Sequence, residues 1–353
     1  MKKRFSILLI IFLALAGCQK DPELKFREFP FENDAIKMEL VATNLPDSVN
    51  RVNMHFFDDS IGIIISREGE IYKTKDGGRS WTLKYTNPTK DQPFFEIVFT
   101  DKNIGYVVGG ANWCNGNGCI CPGGIVLKTT DAGETWSPIF ALSGQLEFKD
   151  IASNSKGELF LIQNEYIGPN QPASKILKST DGGSSWTMVS QFSFVLYEII
   201  FNKNVGFCTI LDSKNTMIES QDHGTTWANS ASFSDGTIRD LAFYNNVGMC
   251  IFNNMVYKTI NNGTSWAKLF NTSNYGLGKI NLLSETDCII WGGIYSRGCF
   301  GYTHSAFNQT QNGGTYWTGK EFLETYGTLY ISSFYSATEG YVLADKLIKV
   351  TVK

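Results

Sequence analysis

The chain has 353 residues, enough for two ordinary domains or one large all-β domain. Its formal net charge is −3 and only 18% of its residues are charged, which leaves no basic field for nucleic acid and no acidity strong enough for a disordered tail. Its 34 Gly, 25 Phe, 15 Tyr and 8 Trp against 9 Pro suit short strands joined by tight turns, and helical periodicity is hard to find past the first segment.

Lys2, Lys3 and Arg4 precede an apolar run of 12 residues, 5–16, which is too short to cross a bilayer as a helix and reads as a secretory signal. The run closes on Leu15-Ala16-Gly17-Cys18, which resembles the bacterial lipobox. That resemblance implies removal of residues 1–17 and acylation of Cys18, each buried methylene of the acyl chains contributing ~0.8 kcal/mol to membrane binding. The competing reading is a chance cysteine behind an ordinary signal peptide. Gln19-Lys20-Asp21-Pro22-Glu23 resembles the acidic export signal that carries lipoproteins to the outside of the outer membrane in Bacteroidota, and so implies an outer-membrane, surface-exposed location. Read as plain residues, the same stretch is a solvated tether. Residues 18–34 are the lipidated cysteine and its tether, of which 19–34 have no clear period and form a leash reaching roughly 50 Å at ~3.3 Å per residue.

From residue 35 to 353 the chain is one domain of repeats. A strand-like run at 36–42 has no partner of its own. The pattern Ser/Thr-x-Asp-x-Gly-x-Ser/Thr-Trp follows as Thr74-Lys75-Asp76-Gly77-Gly78-Arg79-Ser80-Trp81. It returns with Asp131 and Trp136, Asp181 and Trp186, and Asp222 and Trp227, then with Asn261 before Trp266 and Asn312 before Trp317. The steps from Asp76 to Asn312 are 55, 50, 41, 39 and 51 residues, the length of one four-stranded unit each. A short carboxylate or amide accepts hydrogen bonds from nearby backbone N–H groups and closes a turn, Gly supplies angles other residues find costly, and Trp buries a large ring as the next strand begins. These residues are structural. Upstream of each box lie two strand signals, such as Phe95-Glu96-Ile97-Val98-Phe99 with Gly105-Tyr106-Val107-Val108-Gly109. A seventh unit, starting near Leu329 and ending at Leu347-Ile348-Lys349-Val350, has three strands and lacks a fourth, which the run at 36–42 can supply. The predicted fold is an all-β propeller of seven four-stranded blades, closed by an N-terminal strand in the last blade.

The grammar Ile/Leu-x-Phe, Gly-Tyr-Val-Val-Gly, then Lys-Thr-x-Asp-Gly-Gly-x-Ser-Trp resembles the Asp-box propellers of the photosystem II stability and assembly factor (YCF48-like) family. The resemblance covers about 36–353. It is specific for fold and implies, for function, a binding and assembly platform rather than an enzyme, with no cofactor. It also implies that the box joins the third and fourth strands of a blade, so that the second-to-third hairpins lie on the opposite face. Three of those hairpins are long: 111–124 with Trp113, Cys114, Cys119 and Cys121; 163–174 with Tyr166; and 293–309 with Tyr295, Arg297, Cys299 and His304. Long loops on a rigid scaffold are where recognition sits, although insertions also drift there.

Alignment of the innermost strands puts Asn53, Glu96, Asp150, Glu198, Asp240, Asn281 and Ile331 at one position around the channel mouth. Such a ring either holds a cation or hydroxyl-rich ligand, or only bonds to the backbone of neighbouring blades. Sialidases need an arginine trio, and Arg51, Arg67, Arg239 and Arg297 fall toward the same face, but the family's Arg-Ile-Pro is absent, the first inner strand reading Arg51-Val52-Asn53-Met54. A retaining glycosidase needs two carboxyls ~5–5.5 Å apart, a distance no sequence gives. The histidines at 55, 223 and 304 are scattered, and no metal site is expected. In an exported protein, Cys114 pairs with Cys119 or Cys121, with Cys299 an outside partner, while Cys208 and Cys250 share one strand position and read as buried thiols. The expected partner is an outer-membrane or extracellular protein met by a monomeric domain. The alternatives are a glycan, through Trp113, Tyr166, Trp291 and Tyr295, or turnover as an exo-glycosidase.

Overall fold

Segments such as Gly62–Ser66, Val205–Ile210 and Val247–Phe252 are buried at every residue, so both faces of these strands are covered. A continuous apolar run in place of alternation is what a strand needs when its sheet is packed between two others. A computed structural model describes residues 36–45, 49–89, 92–111, 122–166, 172–210, 217–230, 233, 236–253, 255–271, 275–295, 302–322, 331–343 and 346–353. The positions of Cys18, Trp113, Cys114, Cys119, Cys121, Arg297 and Cys299 lie outside them, and of Tyr166 and Tyr295 only the strand backbone is described. Among the described residues every regular element is a strand, and the strands form seven antiparallel four-stranded sheets.

Six sheets take four consecutive strands, the first being Arg51–Phe56, Gly62–Ser66, Glu70–Thr74 and Thr82–Thr86. The seventh takes Ile331–Phe334, Glu339–Leu343 and Leu347–Val352, and is completed on its outer edge by Ile36–Leu40. Ile36 pairs with Val352 and Leu40 with Ile348, so the two ends of the ring are stitched by backbone hydrogen bonds. The N-terminal strand is thus the expected clasp, two residues shorter than the run that suggested it.

The core is seven wedges rather than one centre. Each wedge joins the second and third strands of one blade to the first strands of the next: Ile63, Ile65 and Ile71 meet Phe94, Ile97 and Val107, and Val205, Phe207 and Met217 meet Ile238, Leu241 and Cys250. Leu343 and Leu347 of the last blade meet Met54, Phe56 and Ile64 of the first, closing the circle. Each fully buried Phe or Ile contributes about 1.5–3 kcal/mol, so stability is spread evenly around the ring. Cys208, Cys250 and Cys288 are free, fully buried thiols in these wedges.

The six box turns are closed by their own side chains. In the first, Thr74 Oγ1 donates to Asp76 Oδ1 at 2.8 Å and accepts from Gly78 N at 2.9 Å, while Ser80 N donates to Asp76 Oδ1 at 2.8 Å. Asn261 and Asn312 accept the same backbone bond, from Ser265 N and Tyr316 N at 3.0 and 2.9 Å. The turn also spaces the blades. Lys73 of blade one donates to Ala132 O in the box of blade two, and Lys128 of blade two to Gly182 O in the box of blade three, both at 2.9 Å. A Cβ on Gly133 would sit 2.4 Å from Ile63 of the preceding blade, and one on Gly224 would sit 2.3 Å from Phe160.

Candidate functional site

The site is made by one repeated irregularity. In six blades the inner strand carries a β-bulge near its start, so two of its residues stand opposite one on the second strand. A bulge breaks the period of two and turns neighbouring side chains the same way. The first bulge residues are Val52, Phe95, Lys149, Tyr197, Arg239 and Gly278, and the second are Asn53, Glu96, Asp150, Glu198, Asp240 and Lys279. All twelve, with Ile331 of blade seven, line a central cavity of about 490 Å³ at the end of the ring away from the box turns. Asn50, Arg51 and Arg67 complete its rim.

The structure therefore assembles Asn53, Glu96, Asp150, Glu198, Asp240 and Ile331 as the sequence alignment placed them, with one correction. Lys279, opposite Trp291, occupies the ring position in blade six, and Asn281 lies two residues further along the strand, opposite Ile289. The bulge at Gly278 is the reason, because an extra residue moves the frame without leaving a trace in hydrophobic periodicity. Asn281 instead accepts a hydrogen bond from Trp291 Nε1 at 2.7 Å. Trp291 itself is fully buried against Phe307 and Val342 between blades six and seven, which removes it from the binding face.

A cation in place of one amide changes the electrostatics. Four carboxyl groups and five cationic side chains (Arg51, Arg67, Lys149, Arg239 and Lys279) line the cavity. The acids are largely consumed by the scaffold. Asp150 accepts from Ile151 N and, across to blade four, from Ile199 N, both at 2.7 Å. Asp240 accepts from Ile280 N of blade six and from Lys279 Nζ at 2.9 Å. Asn53 Nδ2 donates to both oxygens of Glu96 at 2.7 Å, and Ile97 N adds a third bond at 3.0 Å. Burial works against the charge of Lys279, but the carboxylates of Asp240, Glu198 and Glu96 outweigh it and hold the ammonium protonated well above its usual range. Burial pushes Glu96 up to about 7. Burial, reinforced by the charge of Asp240, pushes Glu198 up to about 8.

The upper tier is different. Lys149 Nζ lies over the rings of Phe95 and Tyr197 at 4.8 and 4.7 Å from their centroids, a cation–π sandwich that fixes its position. Arg67, Arg239 and Tyr197 are exposed, and neither arginine forms an ion pair among the described residues. The rim thus presents fixed and free positive charge beside an aromatic ledge, over a floor in which Glu96, Asp150 and Asp240 are already hydrogen-bonded. Sequence reasoning placed the arginines on this face but missed Phe95, Lys149 and Tyr197. Their signal was a large residue directly before the acid in four successive inner strands: Phe95-Glu96, Lys149-Asp150, Tyr197-Glu198 and Arg239-Asp240.

No protein-family model matches the chain. It is 20% identical over 297 residues to the photosystem II assembly lipoprotein Ycf48 of Synechococcus sp. (strain CC9902), covering 81% of this chain and 80% of that protein. Among solved structures it is similar to a YCF48 bound to a D1 peptide, with a TM-score of 0.65 at 18% identity, over 91% of this chain and 97% of the other. A GH74 xyloglucanase from Xanthomonas campestris is similar over 88% of this chain and 52% of its own, with a TM-score of 0.62 at 11% identity. At such identities the structural likenesses establish the fold, a seven-bladed propeller, and the chain resembles the Ycf48 propellers in sequence and architecture alike.

Proposed function

We propose that the chain is a non-enzymatic docking platform that binds an extended, anionic segment of a partner protein across the loop-rich end of its central cavity. The observation that carries this reading is the rim: Arg51, Arg67, Arg239 and Lys149 converge on a cavity in which three of the four carboxyls, Glu96, Asp150 and Asp240, are already engaged by Asn53, backbone amides and Lys279. Guanidinium groups recognise carboxylates with paired, directional bonds, and Tyr197 beside them offers a flat surface to an adjacent apolar side chain. The peptide-bound YCF48 and the assembly role in the Ycf48 relative's name support a protein partner. What carries over is docking, not the photosystem.

Acylation at Cys18 and an outer-membrane, surface-exposed location belong to the same reading, on the strength of the lipobox and the acidic stretch after it. Ile36 enters the ring beside Val352, whose N–H donates to Thr338 O in a first-to-second turn, on the box side. A tether attached there would start at the end of the ring opposite the arginine rim. Palmitate labelling lost in Cys18→Ala is the expected result, and labelling that persists rejects the anchor.

Docking is tested by calorimetric titration with an acidic decapeptide carrying a free C-terminal carboxylate. Wild type binds, and Arg51→Ala/Arg239→Ala weakens binding by at least about tenfold, the loss expected for two charge-assisted contacts. Equal binding by both proteins rejects the rim as the site. A glycosidase is the second reading, since Arg51, Arg67 and Arg239 do converge. It predicts release of a chromogenic sugar that is lost on Glu96→Gln or Asp240→Asn.

A further inference from the structure

One carboxyl of the lower tier is held differently from the rest. Asp150 and Asp240 are fastened to backbone N–H groups of the next blade, and Glu96 is fastened by Asn53 and Ile97. Glu198 accepts no hydrogen bond among the described residues. It stands in blade four between Asp150 of blade three and Asp240 of blade five, with its nearest cationic member of the tier, Lys279, two blades away and already bonded to Asp240. A carboxyl flanked by two carboxylates, poorly hydrated and without a donor of its own, is the member of the cluster that is most stable neutral.

We propose that Glu198 is a proton-linked selector: in its neutral form the cavity keeps its full surplus of positive side chains and accepts an anionic segment, and in its ionised form it halves that surplus and weakens binding. The inference rests on the docking reading and adds to it a pH dependence located at one residue. The charged and titratable groups around Glu198 come from six of the seven blades. Arg51 and Arg67 look in from blade one, Glu96 from blade two, Lys149 and Asp150 from blade three, Tyr197 from its own strand, Arg239 and Asp240 from blade five, and Lys279 from blade six. Behind it, burial keeps the Cys208 thiol neutral. With every group ionised the cavity holds five positive and four negative charges, so a single proton doubles the net excess. Asp150 is also pushed up, by burial and by the charges of Glu96 and Glu198, but both its oxygens accept backbone N–H bonds, which favour its ionised form. Glu198, pushed up to about 8, is therefore the carboxyl whose charge changes in the mildly alkaline range.

The test titrates an acidic decapeptide, free of groups that titrate between pH 6 and 9, into the full chain and its Glu198→Gln and Glu96→Gln variants at both pH values. Wild type is expected to bind about five- to tenfold more weakly at pH 9, the effect of one unit charge at close range in a poorly screened cavity. Glu96, pushed up to about 7, also changes charge in this range, so Glu198→Gln should show a dependence at least twofold smaller than wild type, and Glu96→Gln should keep the share that Glu198 supplies. Carbon-13 titration of labelled glutamate carboxyls in the free protein should show a midpoint above 7 that vanishes in Glu198→Gln. Binding without pH dependence, or dependence undiminished in Glu198→Gln, overturns the selector and leaves docking intact. Absence of binding at both pH values, with the high midpoint still present, overturns the docking reading and the selector with it.

Discussion

At the scale of single residues, the account turns on charges held in place by backbone amides. The Lys279–Asp240 pair, 2.9 Å apart with the carboxylate nearly buried, is tied into the strand of the next blade. Lys279→Met leaves a buried carboxylate without its ammonium and should cost roughly 1–3 kcal/mol by urea unfolding, discounted because the lysine is one-third exposed. Asp240→Asn in the same chain should recover part of that loss, and a single variant as stable as wild type would show the pair to be idle. Glu198 makes the opposite contribution. Its carboxyl titrates near 8 in the folded chain and near 4.3 when unfolded, so between those values the folded state holds a proton the unfolded state has released. Stability therefore falls as pH rises through this window and is lowest above pH 8. Glu198→Gln should flatten that slope and be more stable than wild type at pH 9, and identical slopes would contradict the raised titration.

At the scale of elements, the box turns and the bulges differ in how much a sequence reveals. A box is local: eight consecutive residues contain the donor, the acceptor, the glycine and the ring, so Asp76 to Trp317 were legible in full. The position after the acid has positive φ in every copy, and blade two fills it with Ala132 at 56°. Ala132→Gly should stabilise by up to about 1 kcal/mol, since the left-handed conformation costs more for alanine than glycine loses in entropy. Gly224→Ala should cost about 2–4 kcal/mol, because φ is 82° and the new methyl meets Phe160 across the blade boundary. Thermal unfolding of the pair separates the two effects, and equal midpoints would contradict the spacer role. A bulge, in contrast, is a relation between two strands. Nothing in the run Gly278-Lys279-Ile280-Asn281 says which residue lacks a partner, which is why Asn281 was assigned where Lys279 stands and why the Phe95–Lys149–Tyr197 ledge was invisible. Trp291 was misplaced for a related reason, since an aromatic near a long hairpin looks exposed until the blade that covers it is built.

At the scale of the whole molecule, a ring of seven wedges has no interior independent of its closure. The missing fourth strand of the last unit and the unpartnered run near residue 36 made the clasp readable, because an open all-β ring would leave Leu347–Val352 as a bare edge. Deleting residues 1–42 should expose that edge and uncover the wedge that Ile36 and Met38 partly cover, lowering the unfolding midpoint and promoting dimers on size exclusion. A synthetic peptide of residues 34–43 should restore the monomer, and an unchanged midpoint would deny the clasp any role. The ring also fixes what function can use. Its box end carries spacers and the start of the N-terminal strand at Ile36, and its other end carries two tiers of bulge residues whose upper one remains free for a partner. Amide hydrogen exchange of the full chain with and without a saturating acidic peptide tests that division most directly. The account predicts protection confined to the cavity end, at residues 50–53, 95–97, 149–151, 197–199, 239–240 and 279–280, with the six box turns unchanged; protection centred on the box turns, or on the outer strands, would contradict it.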